Sequence, residues 1–226
     1  MQSAKRKSKV IIKLGGSLIE KGRDIIRFLR DYVDEKEKAP TIILIPGGGP
    51  FAEVVRNVSA DMSISEETAH WMAVLAMHQY GLLLANGEIG IALVESMKEI
   101  DGAEPIRILL PYEVLKADDC LPHTWDVTSD TIAAFVANKI GEKTFIKLTD
   151  VDGIIDEKGH LIKEIYAKEM VELEEKGCVD AGLPGFLMQN RMSCTIVNGN
   201  FPNRIIAAIE GKETLCTKIL AITKKF

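Results

Sequence analysis

VIIKLGGSL, residues Val10 to Leu18, is the stretch on which the reading of the chain turns. Its apolar run carries one lysine, Lys13, and is stopped by Gly15, Gly16 and Ser17. Lysine is seldom buried, and paired glycines weaken a strand unless the backbone must turn sharply or approach something closely. Two explanations stand open for these nine residues. One is a solvent-facing lysine on an edge strand followed by an ordinary turn. The other is a lysine aimed at an anion, with bare glycine amides beside it.

Working outward, short apolar runs recur along the chain: 10–14, 41–46, 106–111, 144–149, 194–198 and 217–222. Helical patterns fall between them, near 22–36, 50–59, 63–86, 128–140, 167–176 and 202–210. Such alternation predicts βα units around a largely parallel sheet with helices on both faces. No repeat or proline-rich linker interrupts it, so one continuous domain over 1–226 is expected. The stretch TAHWMAVLAMHQYGLLLA is apolar around most of its circumference, and Ser63 with Glu66 has capping-box spacing before it. A helix of this kind is covered on more than one side, by its own core or by a second copy of the chain in a homo-oligomer.

Composition narrows the class. At 226 residues, 46% hydrophobic and with a net charge of −5, the chain reads as an ordinary globular protein and not as a nucleic-acid binder. The basic start, Lys5 to Lys9, reads as a solvated tail. No apolar run suits a membrane span or a signal-peptide core, so a cytoplasmic protein without a membrane partner is expected. Cys120, Cys178, Cys194 and Cys216 lie far apart without a CxxC pair, as reduced thiols would. His70 and His78 are two turns apart, too far for a shared metal, and no metal site is expected.

In open parallel sheets, ligands bind beyond the carboxyl ends of the strands. Three glycine-rich breaks follow strands and would share that rim: 15–17, 47–49 and 150–153. Three on one rim suggest a site for two anionic ligands. Glycine amides can point at phosphate oxygens, and Lys13 would supply a mobile positive charge. Neither GxxxxGK[ST] nor GxGxxG occurs. In IPGGGPFAEVVR (45–56), Pro50 suits a first helical turn, and Arg56 further along could fork onto a carboxylate or phosphate. In HTWDVTSDTIAAFVANKIG (123–141), Thr128 and Ser129 look like a helix cap, with Asp130 in the first turn. Asp130 could complement the helix dipole or hold lysines in register around a transferring group.

KLGGS, PGGGP, VTSDTIAA and KLTDVDGI, in this order, resemble the amino acid kinase superfamily across essentially the whole chain. The resemblance implies a three-layer αβα sandwich that transfers the γ-phosphoryl group of ATP, with Mg²⁺, to a small anionic acceptor. It implies Lys13 on the phosphoryl group in flight and Asp130 as the organiser of lysines. Gly15, Gly16, Ser17, Thr149, Asp150 and Gly153 would hold ATP. Gly47, Gly48, Gly49 and Arg56, with His123, Trp125, Thr128 and Ser129, would face the acceptor. The chain is too short for the extra domains of aspartate kinases and many glutamate 5-kinases. HTWDVTSDTIAA, VDAGLPGFL and VNGNFPNRIIAAIEG look most like the short archaeal-type kinases of methanofuran biosynthesis, which act on an aminomethyl-furanyl-methyl phosphate. The chain departs from its relatives in one place, where AGLPGFLMQN (181–190) lacks the second phosphate-contacting lysine of a GGM-x-x-K stretch. Lys21 is the candidate to replace it. A carboxylate-acceptor kinase such as an acetylglutamate kinase, or a storage or sensory protein of the same fold, stands as the alternative.

Overall fold

The computed structural model describes residues 8–172 and 177–221. Its strands are β1 (Lys9–Leu14), β2 (Thr41–Pro46), β3 (Ile91–Val94), β4 (Ile106–Leu109), β5 (Thr144–Thr149), β6 (Glu164–Tyr166), β7 (Ser193–Asn198) and β8 (Thr217–Leu220). They form one sheet in the order β3-β4-β2-β1-β5-β7-β8-β6. Every pairing is parallel except β7 with β8. The helices are α1 (Gly22–Glu35), α2 (Gly49–Met62), α3 (Glu66–Ala85), α4 (Tyr112–Ala117), α5 (Ser129–Ile140), α6 (Ala167–Glu172), α7 (Leu183–Asn190) and α8 (Pro202–Ile209).

Side chains alternate across a strand, and here the alternation sorts two cores. Ile12, Leu14, Ile42 and Leu44 pack with Ile25, Ile26 and Leu29 of α1 and Ile205 of α8. Ile11, Ile43 and Ile45 pack on the other face with Ile132, Ala133 and Val136 of α5. The result is the expected αβα sandwich. Burying an isoleucine or leucine contributes about 1.5–3 kcal/mol, so both faces are held firmly in register. Lys13 has the parity of Ile11 and therefore points at α5 from a central strand. The edge-strand explanation falls away.

The sheet is wider than the apolar runs suggest. β3 and β6 sit at its two edges and have only four and three residues, too few to show a periodic pattern. The run 106–111 pairs only to Leu109, because Pro111 caps the short helix α4. Helix α7 also went unread, its Pro184–Gly185 pair looking like a loop although proline is well placed in a first turn. The cap of α3 is Ser65, whose side chain accepts from Thr68 N, and not Ser63. Ser63 instead ends α2 with a left-handed backbone, φ 50°. Residues 5–7, 173–176 and 222, parts of the expected tail, helix and last strand, lie outside the described residues. Among the described residues, no helix is long and apolar enough to cross a membrane.

Candidate functional site

The site begins with two lysines. Lys13 of β1 and Lys147 of β5 are direct neighbours in the parallel register and have the same parity. Both are buried, at 5% and 4% exposure, and both reach the carboxylate of Asp130 in the first turn of α5. Lys13 Nζ lies 2.7 Å from Oδ1 and Lys147 Nζ 2.5 Å from Oδ2. Burial alone would raise the Asp130 carboxyl, but the two ammonium groups outweigh it and hold Asp130 well below the usual carboxylate range. Burial pushes Lys13 down, against the pull of Asp130. For Lys147 the Asp130 carboxylate overcomes burial and raises it. Lys147 also donates to the carbonyl of Cys178.

Asp130 is positioned by a residue that sequence reading passed over. Thr128 occupies the N-cap position of α5, but its hydroxyl makes no cap bond to the helix. The half-buried Asp180 takes that role through its carboxylate. It accepts from the amides of Thr128, Asp130, Thr131 and Leu183 and from the hydroxyls of Thr128 and Thr131. In return, Asp180 N donates to Asp130 Oδ2 at 3.2 Å. One carboxylate thus satisfies the open amides at the starts of both α5 and α7. Burial and the Asp130 charge push the Asp180 carboxyl up against those donors.

The glycine loops meet above this cluster. Gly15 N donates to Leu148 O at 2.8 Å, and a Cβ there would fall 2.7 Å from that carbonyl. A Cβ on Gly16 would overlap the backbone of Gly49, so the first two loops touch main chain to main chain. Ser17 hydrogen-bonds the Asp150 carboxylate and draws it down, joining the first loop to the third. Thr149 is buried beside Asp150, its hydroxyl 3.2 Å from Oδ1. Gly153 has φ 147° and packs on Thr217, where no side chain fits. Asp152 is held by Asn198 at 2.9 Å and Arg204 at 2.6 Å. Lys21 lies on this side of the rim, donating to Asn200 Oδ1 at 2.7 Å, and does not reach Asp130. The second lysine of the cluster is Lys147, because β5 delivers it in register with Lys13 whereas Lys21 is exposed at the start of α1.

On the other side of Gly16 opens a cavity of about 190 Å³ between α2, α3 and the start of α5. Gly48, Gly49, Arg56, Trp125, Thr128 and Ser129 line it. Gly47 packs behind them, its Cα side facing Gly16 N and Ser129 Oγ. The Arg56 guanidinium lies 4.3 Å from the Trp125 ring centroid and 3.5 Å from Glu53. His123 stands behind the wall: it stacks on His70 at 4.4 Å and bonds Asp119 at 2.7 Å. Glu66 and His70 of α3, read from the sequence only as a capping-box partner and as one of two histidines too far apart for a metal, also line the cavity. Their i, i+4 spacing on one helical face was the available signal.

A buried lysine pair held by one aspartate thus lies under the glycine loops, beside the cavity between α2 and α3. The chain belongs to the amino acid kinase family, whose model matches residues 8–196, and it is a kinase. It is 36% identical to the [5-(aminomethyl)furan-3-yl]methyl phosphate kinase of Methanocaldococcus jannaschii, over 95% of this chain and 99% of that protein. An acetylglutamate kinase of Endomicrobium trichonymphae is 27% identical over 76% of this chain and 83% of its own. The crystal structure of the uridylate kinase of Archaeoglobus fulgidus superposes with a TM-score of 0.71 at 18% identity, covering 93% of this chain and 99% of that one, a likeness of fold.

Proposed function

We propose that the chain, as a single domain over 1–226, transfers the γ-phosphoryl group of Mg-ATP to [5-(aminomethyl)furan-3-yl]methyl phosphate and yields the diphosphate. The Lys13–Asp130–Lys147 cluster beside the cavity between α2 and α3 is the observation that carries the reading. The identity to the M. jannaschii kinase supports the choice of acceptor.

In this reading ATP lies over Gly15, Gly16 and Ser17, with Thr149, Asp150 and Gly153 beside it, and the acceptor phosphate rests against Gly48, Gly49 and the start of α5. The close main-chain approach of Gly16 and Gly49, which no Cβ at Gly16 would permit, leaves backbone amides without side-chain cover, an arrangement that suits phosphate oxygens. Mg²⁺ would arrive with the nucleotide phosphates and neutralise part of their charge. An oxygen of the acceptor phosphate attacks the γ-phosphorus, the bond to the β–γ bridging oxygen breaks, and ADP leaves with that electron pair. The acceptor is already anionic at neutral pH, so no base has to remove a proton. Lys13, held against Asp130, meets the charge that builds on the phosphoryl oxygens, and Lys147 keeps Asp130 ionised and in place.

Arg56 and Trp125 offer a cationic and a flat surface to a ring bearing a phosphate. A second copy of the chain would cover the outer face of α3, where Leu75, Leu82 and Leu83 are exposed. ADP release measured with four acceptors tests the function: the furan phosphate, acetylglutamate, UMP and isopentenyl phosphate. Turnover of the furan phosphate in preference to the other three is expected. Efficient turnover of acetylglutamate with none of the furan phosphate would replace the acceptor and leave the phosphoryl chemistry standing.

A further inference from the structure

The wall of the acceptor cavity contributed by α3 has a chemistry that the phosphoryl transfer does not use. Glu66, His70, Ala73, Val74 and Met77 face the cavity in a single helical stripe. Gly81, one turn beyond Met77, lies against Pro46 at the carboxyl end of β2. The helix therefore climbs away from the rim towards its N-terminus. Met77 is nearest the glycine loops, and His70 and Glu66 stand at the far end.

Two observations bear on that far end. Arg56 sits beside Glu53 and the Trp125 ring, whereas Glu66 has no ion-pair partner among the described residues. His70 is 7% exposed, lines the cavity and has no hydrogen-bond partner among the described residues. It is held only by ring contacts, stacked on His123 and edge-on to Trp71. Burial and the neighbouring His123 push its pKa down to about 4, so near neutral pH one ring nitrogen carries no proton and can accept a hydrogen bond. A carboxylate and an unprotonated imidazole together would repel a second acidic group of the acceptor and receive a cationic donor.

Resting on the phosphate-acceptor reading above, we infer that Glu66 and His70 form a subsite for a primary ammonium group carried by the acceptor at the end remote from its phosphate. The substrate class is then a phosphomonoester with an amine across a flat spacer, and acceptors with a second acidic group are rejected by charge. Glu66 also lies in the first turn of α3, where its charge favours the helix, so stability alone does not report this role.

The test compares the aminomethyl acceptor with an analogue bearing a hydroxymethyl group in its place, using wild type and Glu66→Gln. Wild type should prefer the amine. In Glu66→Gln the KM for the amine should rise about ten- to a hundredfold, the range of one charge-assisted hydrogen bond. The KM values for the hydroxymethyl analogue and for ATP should stay unchanged. An equal rise for both acceptors would overturn the subsite and make Glu66 a helix-stabilising residue only. A wild type that turns over both acceptors without preference would remove the subsite and leave the kinase reading intact. A wild type that turns over neither would overturn the acceptor reading and the subsite with it.

Discussion

The two sides of Gly16 are built on opposite principles. Towards the sheet, Lys13, Lys147 and Asp130 are almost wholly buried, in direct contact and locked by strand register. Towards α2 and α3, Arg56, Glu53 and Glu66 stand at an open wall and touch the rest of the molecule lightly. Buried charges are costly unless paired, so the first region has little freedom to vary without loss of the fold. Exposed charges contribute little to stability, so the second can be shaped by what it binds. Chemistry and stability are joined in one region and separated in the other.

The largest effect should come from Asp130. Asp130→Ala leaves two ammonium groups buried without a counter-charge, and breaking a buried pair in this way typically costs about 3–5 kcal/mol. Chemical denaturation should show a much lowered midpoint, and activity should vanish. A variant as stable as wild type would break the contrast between the two regions. The sign of its pH dependence follows from the depressed carboxyl. The stabilisation is present above the unfolded value, near 4, and is lost as pH falls below it towards the folded value.

Next in size is Lys13→Ala. Loss of a contact to developing charge commonly costs about a hundredfold or more in rate, so kcat should fall that far while the KM for ATP changes much less. Steady-state kinetics with unchanged kcat would remove Lys13 from the mechanism.

Arg56→Ala should act on the open side alone. The acceptor KM is expected to rise about tenfold, near the strength of one hydrogen bond to a charged group. The ATP KM and the thermal midpoint should hold steady, and a rise in both KM values would show that the two ligand spaces are not independent.

His70 offers a smaller, pH-resolved effect. Its folded value is about 4 against an ordinary one near 6.5, so the unfolded chain binds the extra proton first and stability should decline as pH falls through that interval. His70→Phe should flatten part of this decline in denaturation curves taken across the same range.

The smallest effect is expected from Lys21→Ala. Its exposed contact to Asn200 leaves the buried cluster untouched, so kcat should change by less than about twofold. A loss comparable to that of Lys13→Ala would return Lys21 to the reacting phosphate.

What was legible in the sequence follows the same division. The alternating runs gave the layers, since central strands are long and apolar on both faces, while the short edges β3 and β6 carried no periodic signal. Lys13 was readable because it broke an apolar run, and Asp130 because VTSDTIAA carries the family resemblance. Lys147 broke the same pattern in TFIKLT and was passed over, since nothing local states that β5 lies beside β1. Asp180 was hidden for a similar reason: it caps a helix whose N-cap lies 52 residues earlier in the chain. The acceptor wall was legible only in part. Arg56, Trp125 and the cap of α5 were marked by glycines and turn residues nearby, whereas Glu66 and His70 looked like any polar residues on an apolar helix.

The main-chain contact between Gly16 and Gly49 has a consequence for retargeting the enzyme. Neither glycine can take a side chain, so neither is a place where acceptor preference can be rewritten. The exchangeable side chains of the cavity wall lie instead on α2, on α3, and on α5 or the segment before it. The stripe 66, 70, 73, 74 and 77 then works as a cassette, one helix face that could be recoded for a new group at the acceptor's remote end while the phosphate grip stays as it is.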